Sequence, residues 1–436
     1  MTSLRRTFAA LGNDLPVPRL LRWASVSFCL CVLSFVFSVA ASQIFFSFAG
    51  LCYAADLLRR PRVPAFLPVK LPLALFCFFT ALSIGWAENP VVGWTVVRKL
   101  TLLFILLFTV NLINSNRQLT AIYRAVFLES ALAGLLAVGQ FITQYRQVRA
   151  QHPGKLYYFM TLLRIHGFQG HWMNFGGQQM LIFVALVAYV TLGRRPTDSS
   201  PPHPRPLSPK GARGRILDIV NWIVLAIVAI SIVLNFTRGV WLGCGVGLLY
   251  LVARWHARWL LALPVFAGFV YLASPSLVRD RVQTLFHPTA DPAIAVRIEM
   301  WHVGLAMIRR HPLTGVGPNN IPEVYLTYLP PGTQAVPAWH EHLHDVYLQL
   351  AAERGLPCLA AWLWFMGALG RQILRTRRRL KRDGGATWIA DASFAGWLAF
   401  VVEGFFEFNF GTTPVLMVFL FVISTPFAAE RLLASK

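Results

Sequence analysis

Charge is what this 436-residue chain has least of. Only 13% of its residues are charged and 56% are hydrophobic, against roughly 25% charged in an ordinary soluble domain. That excludes a soluble globular protein and leaves one that uses the bilayer as solvent. Cysteine is scarce too. Cys29, Cys31, Cys52, Cys77, Cys244 and Cys358 all fall within apolar runs. They read as small buried hydrophobes, neither a disulfide framework nor a metal site. The N-terminus lacks a small-residue cleavage site after a short apolar region, so the first apolar run reads as a retained span. Acidic residues number 18 against 40 basic ones, a net charge of +22. Such an excess can mean nucleic acid, but the placement of the charges answers that.

The chain divides into about twelve runs near the ~20 residues that cross a bilayer. They are 23–40, 42–58, 69–86, 100–113, 119–143, 178–192, 216–236, 240–253, 259–273, 346–369, 388–406 and 414–428. The expected fold is an all-α polytopic membrane protein in three parts. Residues 1–273 carry spans one to nine, with a Pro/Arg tract at 194–215 whose composition predicts disorder. Residues 274–345 form a long, partly helical loop, and 346–436 carry the last three spans. With the N-terminus inside and sides alternating, most lysines and arginines fall on the cytoplasmic side. Both termini are then cytoplasmic and the long loop lies outside. The basic excess becomes a topology signal, and nucleic acid is not an expected partner.

Arginines on the disfavoured side are informative. Arg238 sits in Thr237-Arg238-Gly239, between two apolar runs. It either snorkels to the interface or meets a ligand. Arg297 lies in a helical stretch, 295–312, with Trp301 four residues on and sharing its face. Ile294, Ile298, Trp301, Leu305 and Ile308 recur at helical spacing, which also fits an amphipathic helix lying on the bilayer.

The loop ends in His340-Glu341-His342-Leu343-His344-Asp345, which permits three readings. It matches H-E-x-x-H formally, the zinc-protease pattern, but a catalytic zinc needs a third ligand and only Glu353 lies nearby downstream. The histidines can be structural groups at an interface. Or one is a general base: neutral imidazole accepts a proton from an alcohol near pH 7, while arginines hold a diphosphate through charge-assisted bonds. That third combination suits transfer of a sugar from a lipid-diphosphate carrier to a hydroxyl. No acidic D-x-D pair occurs in an outer loop to hold a metal, so neither metal nor cofactor is expected.

In these residues the chain resembles the bacterial O-antigen ligase family, with its O-antigen polymerases and protein O-oligosaccharyltransferases. The segments that carry the resemblance are FSVAASQIFFSFAGL (37–51), RIHGFQGHWMNFGGQ (164–178), FTRGVWLG (236–243), RIEMWHVGLAMIRRHPLTGVGPNN (297–320), HEHLHDVYLQLAAERGLP (340–357) and FEFNFGTTPVLM (406–417). Each is weak alone; their order and spacing make the set specific. The resemblance implies a GT-C-like, metal-independent inverting glycosyltransferase of the inner membrane with its active site facing the periplasm. The donor would be undecaprenyl-diphosphate-linked O-antigen, and the acceptor lipid A–core oligosaccharide. Arg238 and Arg297 would grip the diphosphate. An H-N-x-Y-L-type motif maps onto His344-Asp345-Val346-Tyr347-Leu348, making His344 the base with His342 as close second. Aspartate here replaces the usual asparagine and places charge beside the base. Thr412-Thr413-Pro414 stands where a more acidic stretch is expected. Trp301, Tyr347, His171, Glu407 and Asn409 are candidates for acceptor binding or support. The tract with His171 and Trp172 fits the ligase branch better than the polymerase branch. A transporter or flippase would carry more charge within the spans, where Glu129 and Glu403 are the clearest cases.

Overall fold

The computed structural model describes residues 18–193, 209–286, 292–330, 332 and 341–434. Among them there are helices and no strand. In chain order they are α1 (Arg19–Ser34), α2 (Val39–Arg59), α3 (Lys70–Ile84), α4 (Pro90–Leu112), α5 (Asn116–Gln151), α6 (Leu156–Leu162), α7 (Trp172–Leu192), α8 (Pro209–Leu234), α9 (Arg238–His256), α10 (Leu263–Ala273), α11 (Ser276–Phe286), α12 (Pro292–Arg310), α13 (Ile321–Val324), α14 (Val346–Arg382), α15 (Thr387–Glu403) and α16 (Thr413–Ala434). The chain is an all-α polytopic membrane protein.

Seven described helices are long and apolar enough to cross a membrane: Val39–Arg59, Pro90–Leu112, Asn116–Gln151, Trp172–Leu192, Ile216–Leu234, Arg238–Leu261 and Thr413–Ala434. The other apolar runs form shorter or more polar helices. α1, α3, α10 and α15 have 16, 15, 11 and 17 residues, at or below the lower end of the ~17–25 that cross a bilayer. The run expected from Trp259 begins instead in a 3-10 turn over Ala257–Leu261. α14 is long, but its last turns are basic. The tract expected to be disordered is helical from Pro209 onward, continuous with the apolar span that follows; residues 194–208 lie outside the described residues.

α7 and α16 are apolar on every face and most deeply buried, as helices at the centre of a bundle must be. α9 and α15 pack on α7 through small residues. Gly239, Gly243 and Gly247 recur every four residues along one face of α9. A methyl on Gly239 would stand 2.9 Å from Phe406 Cβ, one on Gly243 2.9 Å from the Ala399 carbonyl, and one on Gly247 2.8 Å from a Val184 methyl. Small residues at this spacing let helices in a membrane approach backbone to backbone. The stripe thereby sets Arg238, the first residue of α9, against the last turn of α15.

At one end of the bundle Asp391 accepts hydrogen bonds from Tyr250 (2.7 Å) and Arg377 (2.6 Å), and Arg254 lies 3.6 Å away. At the opposite end lie the start of α7, the start of α9, the start of α14 and the finish of α15. α12 packs across this end against the first turns of α14.

α14 is broken at Gly355, whose φ of 81° and ψ of 164° are not helical. Pro357 follows, where its fixed φ suits a restarting helix. Carbonyls freed by the break are taken up by the turn after α12. Val316 N–H donates to Ala352 O at 2.9 Å, Gly317 N–H to Glu353 O at 2.9 Å, and Leu356 N–H to Pro312 O at 2.8 Å. The Glu353 side chain accepts from Asn319 N–H at 3.0 Å and from Gln349 at 2.8 Å. The motifs LTGVGPNN and ERGLP are thus two halves of one joint, and it fixes α12 relative to α14.

Candidate active site

Three turns and one loop helix meet at that end. In the first turn, Asn235 donates to the carbonyls of Ile165 and Trp172, both at 3.1 Å. Phe236 follows with a left-handed φ of 55°, uncommon for a bulky residue. Its carbonyl accepts from the buried Arg281 Nε at 3.0 Å. Thr237 then precedes α9, and Arg238 opens it, 9% exposed. The Arg238 guanidinium donates to the carbonyl and hydroxyl of Thr284 at 3.3 and 3.2 Å. Arg238 is therefore an inward group, not a snorkelling one.

The second turn, 164–171, is held to α5 by Gln140, which accepts from His166 N–H and Gly167 N–H at 3.1 and 3.0 Å. It puts the Arg164 guanidinium 3.9 Å from the centre of the Trp172 ring, a cation–π stack. His171 is exposed and caps α7, its Nδ1 accepting from Met173 N–H at 3.2 Å.

The third turn holds the histidines. Residues 341–345 are not helical and α14 begins at Val346, so the described histidines do not present the helical face that H-E-x-x-H requires. His340 lies outside the described residues. His344 adopts a left-handed φ of 51° and is buried. Its Nδ1 lies 3.0 Å from Glu407 Oε2, and His342 Nε2 lies 3.0 Å from Glu407 Oε1. Glu407 is 3% exposed. Burial pushes its carboxyl up, but the two imidazoles outweigh that and hold it well below the usual carboxylate range. Burial likewise pulls the His342 imidazole down, and its bond to Glu407 more than restores it, leaving it above the ordinary value. The charge beside the histidines is thus that of Glu407. Asp345 is turned to α14, where its carboxylate caps Leu348 N–H at 2.8 Å; burial raises its pKa.

Arg297 comes from α12. The buried face of that helix is Met300, Val303 and Met307. Ile298, Trp301 and Leu305 of the apolar stripe are turned outward, each at least 40% exposed, as a helix lying on the bilayer would place them. The reason lies in Gly304, whose missing side chain lets Leu343 and Leu348 press against the helix and so picks the buried face.

These elements enclose a cleft of about 600 Å³, its open mouth included, lined by Arg164, Trp172, Arg238, Arg281, Arg297, His344, Glu403 and Glu407 among others. Arg238, Arg297, His344 and Glu407, expected from sequence, meet there. Trp301 and Tyr347 do not line it. Tyr347 donates to Val401 O at 2.8 Å and stacks on Phe405. Asn409 is buried behind the cleft and donates to the Glu403 carboxylate. Arg164, Arg281 and Glu403 were missed as site residues. Nothing marks Arg281 in the sequence beyond its place in the long loop, 274–345. Four guanidiniums against two carboxylates and an imidazole suit a polyanionic substrate and a proton acceptor. The ligand atoms of His342, His344 and Glu407 lie within 4.8 Å of one another, close enough to share a cation.

No curated protein matches the chain. Residues 223–363, which hold Arg238, Arg281, Arg297 and both histidines, match the O-antigen ligase family model. Over that third of its length the chain is similar to the O-antigen ligase family.

Proposed function

We propose that the protein is an O-antigen ligase. It transfers glycan from undecaprenyl diphosphate to a sugar hydroxyl of lipid A–core, at the periplasmic face of the inner membrane, without a metal. The observation that carries the reading is one cleft in which four arginines face a histidine backed by a buried carboxylate. A carboxylate at Nδ1 selects the tautomer whose proton sits there, leaving Nε2 of His344 as acceptor for the hydroxyl proton. As the hydroxyl oxygen attacks the anomeric carbon, the bond to the diphosphate oxygen breaks. Arg238 and Arg297, with Arg281 and Arg164 beside them, offset the charge gathering on the leaving diphosphate. Glu407 stabilises the imidazolium that forms, and inversion follows from a single displacement.

The test is transfer in vitro from undecaprenyl-diphosphate glycan to purified lipid A–core. His344→Ala is expected to lower the rate about 10²–10⁴-fold, and Arg238→Ala or Arg297→Ala about 10²–10³-fold. Undiminished product from all three sinks the site. Product on a second glycan-lipid, or on a periplasmic protein, but never on lipid A–core replaces the ligase reading with a polymerase or protein O-oligosaccharyltransferase.

A further inference from the structure

Glu407 is unusual in what it faces. Both oxygens of this buried carboxylate meet imidazole nitrogens, Oε1 at 3.0 Å from His342 and Oε2 at 3.0 Å from His344. The two rings lie with centroids 4.2 Å apart. Two imidazole nitrogens and one carboxylate oxygen make the donor set of a catalytic-type zinc site, and two of the three residues, His344 and Glu407, line the cleft. Bonds of about 2.0–2.2 Å to one ion place tetrahedral ligand atoms roughly 3.3–3.5 Å apart. Glu407 Oε1 stands 3.0 Å from His342 Nε2 and 3.2 Å from His344 Nδ1, near that separation, and all three donors lie within 4.8 Å of one another. The carboxylate is also held from behind, since Phe408 N–H donates to Oε1 at 3.1 Å; such outer bonds orient metal ligands.

We propose that His342, His344 and Glu407 form a binding site for one divalent transition-metal ion of the zinc class, and that filling it stops glycosyl transfer. The second half rests on the reading of His344 as the base. With the ion on Nδ1, the one proton of the neutral ring sits on Nε2. That nitrogen then donates and can no longer take the proton of the acceptor hydroxyl. The ion also takes the Glu407 charge that would have stabilised the imidazolium. The site is a brake on a metal-free reaction, not a cofactor site.

Zinc chloride titrated into the detergent-purified full chain, followed by calorimetry, tests this. The wild type is expected to bind one equivalent. His342→Ala, which removes a half-buried ligand, and Glu407→Gln are each expected to weaken binding by roughly 100-fold or more. His302→Ala, at an exposed histidine of α12, is expected to leave it unchanged. In the transfer assay, one equivalent of zinc should suppress wild-type product and a chelator should restore it. No binding, binding equally tight in His342→Ala and Glu407→Gln, or full transfer with the site saturated overturns the proposal. Binding that depends on the three residues, in a chain that moves no glycan, upholds the site and overturns the functional reading instead.

Discussion

At the scale of single residues, the pairing of His342 with Glu407 makes stability depend on pH in a calculable direction. The His342 pKa is raised in the folded chain, so its contribution is full below the ordinary histidine value of about 6.5. It is lost as pH rises through the raised folded value. Glu407 is depressed; its contribution is present above about 4.3 and lost as pH falls through its folded value. His342→Gln should therefore lower the melting temperature most near pH 6, with the gap to wild type closing toward alkaline pH. A gap that stays constant with pH would show that the pair carries no charge. Asp345 supports a second expectation. As the N-cap of α14 it does work that asparagine does equally well, since both are strong caps. Asp345→Asn should keep activity within about twofold, whereas Asp345→Ala should cost about 1 kcal/mol in denaturant unfolding. The departure from the H-N-x-Y-L pattern is thus a conservative exchange of caps.

At the scale of elements, the joint between α12 and α14 is where a small change does most harm. Gly355 holds a left-handed φ against the Leu313 carbonyl, so Gly355→Ala meets both a disfavoured backbone and a blocked space. The expected loss is about 1–3 kcal/mol or more, read as a lower melting temperature together with reduced transfer. Sequence pattern announced the helices here but not the face they use. Ile298, Trp301 and Leu305 satisfy the helical period as well as Met300, Val303 and Met307 do. Only the absence of a side chain at Gly304, opposite Leu343, decides between them. Glu407 was equally hard to place. It lies 63 residues from His344, and local spacing says nothing about a partner so distant. Arg238 and Arg297 were legible because the alternation of apolar runs puts each on the side expected to disfavour positive charge. Arg164 and Arg281 share that property but lie among other polar residues, where charge attracts no notice.

At the scale of the whole molecule, the cleft depends on how closely the bundle packs beneath it. Gly243→Leu lies outside the cleft lining, yet its side chain would wedge α9 from α7 and α15 and carry Arg238 with it. A displacement near 1 Å costs on the order of 10²-fold in rate when positioning matters. The variant should insert in the membrane and still transfer glycan that much more slowly; an unaltered rate would show that the glycine stripe does not position Arg238. The all-helical architecture itself was legible, because apolar run length alone betrays it. Helix ends were less legible, since hydropathy does not mark where an apolar run of 11 to 17 residues starts and stops being helical.

The docked turn at Gly355 has one more consequence. It fastens α12 near Pro312, while Arg297 sits fifteen residues away, about 22 Å along the helix. If the contacts of Gly304 with Leu343 and Leu348 slide, the helix acts as a lever about the joint. A tilt of about 5° there sweeps the arginine end through roughly 2 Å, the difference between a guanidinium in hydrogen-bond contact and one out of reach. Under the proposed function, a movement too small to disturb any span would admit and release a bulky glycan-lipid.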